Sequence, residues 1–196
     1  MRRHLVALTI AVPLLAGACS SSDAVGTPGS TDLALTERVD AVAAAVDDWQ
    51  DAATLAQAKA DAEAALNLIV GPDGPGYGDS DGDGVIQGET DMGLLPGSLG
   101  EAGIAQSEPT NSCVQADVLG GSWEDPADRW ATAQAVYDAW TPSDNTMPSL
   151  PSHPQRIVGW ATLTLATDSL DEALEYAGHA QIHVDASRVA VEACVS

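Results

Sequence analysis

The amino-acid sequence predicts an all-α fold, and three observations carry that prediction. Apolar residues recur at three- and four-residue spacing, as in Leu35, Val39, Val42, Val46 and Trp49, which places them on one stripe of an amphipathic helix. Two segments open with helix-capping signatures, Thr54-Leu55-Ala56-Gln57 and Ser169-Leu170-Asp171-Glu172. In each, a hydroxyl and an amide or acid three residues later satisfy N–H groups that a first helical turn leaves free. Finally, no run alternates apolar and polar residues for long enough to require a sheet.

Taken in order, the first helix spans 32–50. Asp51-Ala52-Ala53 offers a turn before a second helix over 54–70, although the first could equally run straight on; Gly71-Pro72 ends it either way. A short helix is expected over 98–107, stopped by Glu108-Pro109. The stretch 110–124 has no period and reads as loop. Asp125-Pro126 supplies a cap and a proline at the first helical position, opening a middle helix to Trp140 with Trp130, Ala133, Tyr137 and Trp140 on one face. Pro142, Pro148, Pro151 and Pro154 make the next segment irregular, and Pro154 opens a helix over 155–166 with Ile157, Trp160, Ala161 and Leu165 inward. The last helix runs from the second capping box to Cys194.

The two capping boxes mark an internal echo. Ala58, Ala62 and Ala65 match Ala173, Ala177 and Ala180 position for position, and each set follows an apolar helix and a short turn. The expected architecture is therefore a helical bundle of two αα-hairpins plus a middle helix, forming a single domain over 32–196. Alanines at the contacts let helix axes approach closely, and Trp49, Trp130, Trp140 and Trp160 fill the wider parts of the core. The second hairpin, through Ala173, Tyr176, Ala177 and Ala180, also resembles the second helix of a tetratricopeptide repeat. Ala161 and Thr164 depart from that family's pattern, and an array needs adjacent repeats, so a compact bundle is preferred.

At the start of the chain, Met1-Arg2-Arg3-His4 is a short positive region and 5–15 an apolar one of signal-peptide length. Ala16-Gly17-Ala18-Cys19-Ser20 follows, and the whole resembles a bacterial lipoprotein signal. The resemblance implies removal of 1–18, lipidation of Cys19, attachment to the membrane through that lipid, and an extracytoplasmic location. Plain secretory cleavage after Ala18 exports the chain too. Residues 19–31, rich in Ser, Gly, Thr and Pro, read as a flexible tether. Losing Arg2 and Arg3 with the signal takes the formal charge from −22 to −24. Such a surface repels phosphate backbones, which excludes nucleic acid as a partner, and it favours cations. Export permits disulfides, and with Cys19 assigned to lipid, Cys113 and Cys194 are expected to pair.

The chemically specific stretch is 78–91, Gly-Asp-Ser-Asp-Gly-Asp-Gly-Val-Ile-Gln-Gly-Glu-Thr-Asp. Asp79, Asp81 and Asp83 occupy alternate positions, Gly84 follows for a sharp turn, Val85 offers a carbonyl, and Gln87 acts directly or through water. Calcium wants six to eight oxygens, and a chain surrounds it only when alternate side chains point inward around a glycine with positive φ. The order resembles the loop of an EF-hand, and the Gly- and Pro-rich flanks make it more similar to the calcium loops of dockerins and thrombospondin type 3 repeats. Where an EF-hand places its closing Glu stands Thr90, so either Glu89 or Asp91 must close the site. Such a loop is expected to need its ion, because this glycine-rich stretch has little apolar surface to pack.

His179 and His183, four residues apart on one helical face, have the spacing for a shared transition metal, completed by His153 or a carboxylate. No His-Glu-x-x-His, Cys-x-x-Cys-His or nucleophile-elbow pattern accompanies them. The sequence thus favours a non-enzymatic, lipid-anchored calcium-binding module at the cell surface, with an unidentified protein or surface polymer as partner. A transition-metal protein using His179 and His183, or a calcium-dependent hydrolase, are the alternatives.

Overall fold

The computed structural model of the protein describes residues 30–106, 112–142 and 147–195. The signal, Cys19 and most of the tether lie outside them, as does the side chain of Cys113. Six helices follow in order: α1 (Ser30–Gln50), α2 (Leu55–Val70), α3 (Ser112–Asp117), α4 (Pro126–Asp138), α5 (His153–Ala166) and α6 (Leu170–Val195), with a 3-10 turn at Ile104–Gln106. Among the described residues there is no strand. No described helix is long and apolar enough to cross a membrane.

The expected hairpins are α1–α2 and α5–α6, and they assemble into one four-helix bundle. Each packs internally, and α1 also lies on α6 while α2 lies on α5, so every helix of the four has two neighbours in a ring. The predicted stripe is the reason: Leu35, Val39, Val42, Val46 and Trp49 are all buried, and so are the alanines of both echoed sets. Burying an aromatic ring removes about 200 Å² from water, worth roughly 5 kcal/mol at 25 cal/mol per Å². Trp49 adds a bond that crosses the bundle, its Nε1 donating to the Ala173 carbonyl at 3.0 Å. Trp160 stacks on Tyr176, and Trp140 meets both rings edge-on.

The caps form as expected. Thr54 Oγ1 accepts from the Gln57 N–H at 3.2 Å, and Ser169 Oγ accepts from the Glu172 N–H at 3.3 Å. The return legs run one or two residues upstream of the cap, Gln57 Oε1 accepting from the Ala53 N–H and Glu172 Oε2 from the Thr167 hydroxyl. The middle differs from expectation in three places. The helix expected over 98–107 contracts to the 3-10 turn, α4 ends at Asp138 before Trp140, and the expected loop over 110–124 contains α3. Six residues with Val114 inward are too few to show a period. α3 packs on α6, which brings the helices carrying Cys113 and Cys194 together.

Candidate metal centre

The stretch between α2 and α3 is organised by two buried polar side chains one turn apart on α2, Glu63 and Asn67. Asn67 clamps the two ends of the acidic loop. Its Nδ2 donates to the carbonyls of Gly78 at 3.0 Å and Gln87 at 2.7 Å, and its Oδ1 accepts from the Gly78 N–H at 3.0 Å. Glu63 sits inside the loop: Oε2 accepts from the N–H groups of Ser80 at 2.6 Å and Asp81 at 2.9 Å, and Oε1 accepts from that of Gln87 at 2.8 Å. Gly88 lets the backbone come this near, since a Cβ there would stand 2.4 Å from the Ala64 carbonyl oxygen and its φ is +66°.

Beyond the loop the chain returns to the end of α2. The Tyr77 hydroxyl donates to the Thr90 carbonyl and accepts from the Thr90 N–H. Arg38 of α1 donates to the carbonyls of Leu68 and Met92 and to Thr90 Oγ1. Burial holds the Arg38 guanidinium below its ordinary pKa, opposed by the charge of Asp91. The N–H groups of Leu94 and Leu95 then reach the Leu68 and Ile69 carbonyls at 3.1 and 2.9 Å, satisfying acceptors that a last helical turn leaves open. Side chains from α1 and α2 thus bond the stretch along its length, a support that the expectation of an ion-dependent loop did not include.

Within the loop, Asp79 accepts from the N–H groups of Gly82 and Gly84, both at 2.9 Å, and Gly84 has the expected positive φ, 92°. Asp81 accepts from the Asp83 N–H and Asp83 from that of Val85. Oxygens of Glu63, Asp79 and Asp81 lie within 4.8 Å of one another. Two oxygens each 2.3–2.6 Å from one ion stand at most about 5 Å apart, so the spacing fits a calcium-sized cation, and an all-oxygen donor set suits a hard one. Of the predicted ligands, the structure thus brings together Asp79 and Asp81. Asp83, Glu89 and Asp91 stand outside that group and are exposed, Gln87 is engaged through its backbone, and the Val85 side chain faces solvent.

Glu63 is the acid that sequence reasoning missed. The available signal was its place in Ala62-Glu63-Ala64-Ala65-Leu66-Asn67, where a charge and, four residues on, an amide interrupt the otherwise apolar second half of α2.

Of the histidines expected to share a metal, the structure brings His183 to His153, named above as a completing ligand, while His179 faces elsewhere. His179 lies flat on Trp160, ring centroids 4.6 Å apart. His183 instead meets His153 at the start of α5, Nδ1 to Nδ1 at 3.1 Å. Burial pushes the His183 pKa down to about 4, helped by Arg156, His153 and His179, and burial and Arg156 also lower that of His153 against the pull of Asp117.

Comparison of the chain with known protein families, with characterised proteins and with solved structures finds no match.

Proposed function

We propose that the chain is a lipid-anchored, extracytoplasmic calcium-binding module that acts through binding rather than catalysis. The observation that carries the calcium reading is the approach of a fully buried carboxylate from a helix, Glu63, to the first two loop aspartates, Asp79 and Asp81. Three carboxylates at this separation repel one another unless a cation lies among them. Glu63 takes the closing role expected of Glu89 or Asp91, and the Val85 carbonyl and water complete the shell. Because helical side chains hold the loop, the ion meets a preformed cage.

The anchor is the lipid on Cys19, and the tether lets the domain stand off the membrane. The acidic surface suits a cell-surface partner that is cationic, or an anionic wall polymer bridged by the same divalent ion. A Cys113–Cys194 disulfide, supported by the packing of α3 on α6, closes the domain; a loop of that length is worth about 4 kcal/mol in the chain-entropy model.

Isothermal titration with calcium tests the reading. Saturable binding of one ion, with a melting temperature higher in calcium than in EDTA, is expected; at a hundredfold excess over Kd the gain is about 2.7 kcal/mol. Neither heat nor stabilisation in the wild-type protein would remove calcium from the account.

A further inference from the structure

The pairing of two imidazoles from different helices is a feature that calcium binding does not use. His153 begins α5 and His183 lies in the middle of α6. Their ring centroids are 5.3 Å apart while the two Nδ1 atoms are 3.1 Å apart, so the rings meet nearly head-on and each Nδ1 aims at the other. Two nitrogens aimed at each other at this distance form a hydrogen bond when one carries the proton and the other offers its lone pair. We propose that this pair is an acid-sensitive latch, tying the start of α5 to α6 through one N–H···N bond and opening when both rings are protonated.

Proton counting gives the behaviour. A neutral imidazole has one N–H and one acceptor nitrogen, so two neutral rings can share one bond. A first added proton leaves one acceptor and keeps the bond. A second leaves two N–H groups facing each other at hydrogen-bond distance, with no acceptor and like charges. The surroundings set the order. Asp117 of α3 faces His153, which is half-buried, and favours the first proton there; Arg156 of α5 opposes charge on both rings; His179, one turn back on α6, opposes it on His183. From α1, Val39 and Val42 line the adjoining space with Pro154 and Ser187 and bring no charge. His183, 7% exposed, therefore protonates last.

The sign follows from linkage. With its folded pKa at about 4, below the ordinary 6.5, His183 contributes stability that is complete above pH 6.5 and is lost as the pH falls toward 4, because the unfolded chain takes the proton first. What the latch secures is a corner of the fold. Next to His153, the Ser152 hydroxyl donates to the Val118 carbonyl at 2.8 Å, and Arg156 donates to the Leu150 carbonyl. Opening the pair loosens α3 and the segment before α5 from the bundle.

The test uses the full exported chain in two measurements. Nitrogen NMR of the wild-type imidazoles from pH 8 to 3.5 should show one Nδ1–H shared by His153 and His183, with His183 requiring at least tenfold more acid to protonate than a free imidazole. Melting temperatures over the same range should fall more steeply between pH 6.5 and 4 in the wild type than in His153→Asn, which keeps a polar side chain but cannot titrate. His183 protonating as a free imidazole does, or equal slopes for the two proteins, would overturn the latch. The NMR titration needs no variant, so it decides the matter even if His153→Asn folds poorly.

Discussion

The four-helix bundle and the acidic crossover are held by different physics. The bundle closes on a periodic apolar stripe, and its main interactions are between elements that each announce themselves in sequence: Trp49 on Ala173, the buried alanines of both hairpins, Trp160 among Tyr176, Trp140 and His179. The acidic loop over 78–91 buries no apolar side chain, and its backbone is pinned by Glu63 and Asn67 and, at its far end, by Arg38, which belong to the bundle, whereas Leu94 and Leu95 beyond it rejoin the core. A polar side chain buried on a helix can thus order a loop that cannot order itself. It can also place a carboxylate where a cation would sit.

Substitutions that separate these two kinds of support sharpen the comparison. The largest effect is expected in the bundle: Trp49→Ala leaves a cavity and removes the bond to Ala173, costing about 3–5 kcal/mol and unfolding both regions together in urea. Glu63→Ala is expected to cost about 2–4 kcal/mol, since three inward N–H groups lose a charged acceptor. Here the loss should be uneven, with amide exchange rising at 78–91 well before it rises in α5 and α6. The same change should abolish calcium binding, whereas Glu89→Gln should leave it nearly intact. Uniform exchange across the molecule in Glu63→Ala would remove the distinction between the two regions.

Smaller changes follow. Arg38→Met, which removes one donor each from Leu68, Thr90 and Met92 while their other hydrogen bonds remain, should cost about 1–2 kcal/mol, with the thermal midpoint and crossover exchange reporting it. Thr54→Ala removes a helix cap and should cost about 1 kcal/mol, spread over the bundle and sparing calcium affinity. Asp61→Asn should stabilise at neutral pH. Its carboxylate has a buried oxygen without a hydrogen-bond partner, and burial and Asp48 raise its pKa, so folding disfavours its charge. Because the group is only partly buried and solvent screens it, the gain is a few tenths of a kcal/mol, visible as a small rise in the urea midpoint that vanishes below pH 4.

The same division explains what the sequence made legible. Helix type, number and pairing in the bundle could be read because periodic burial leaves a local trace: Leu35 to Trp49 declares one helix, and Thr54 and Ser169 declare where two others begin. α3 left none, because one buried valine in six residues has no period. The acidic loop showed its chemistry through Asp79, Asp81 and Gly84, but the acid beside them is sixteen residues upstream of Asp79 in another element, and no loop pattern could name it. Glu63 was visible only as a charge within a stretch, 62–66, otherwise made of alanine and leucine. Likewise, the spacing of His179 and His183 placed both on α6, while their separate partners, Trp160 and His153, are supplied by α5.

The most direct test of the account is a calcium titration followed by backbone amide NMR, begun in EDTA. The account predicts that the N–H signals of Ser80, Asp81 and Gln87 are dispersed and protected before any calcium is added, and that one equivalent then shifts them together with Asp79 and Glu63. Loop amides that are collapsed and unprotected in EDTA, or a titration that leaves those five residues unmoved, would contradict it.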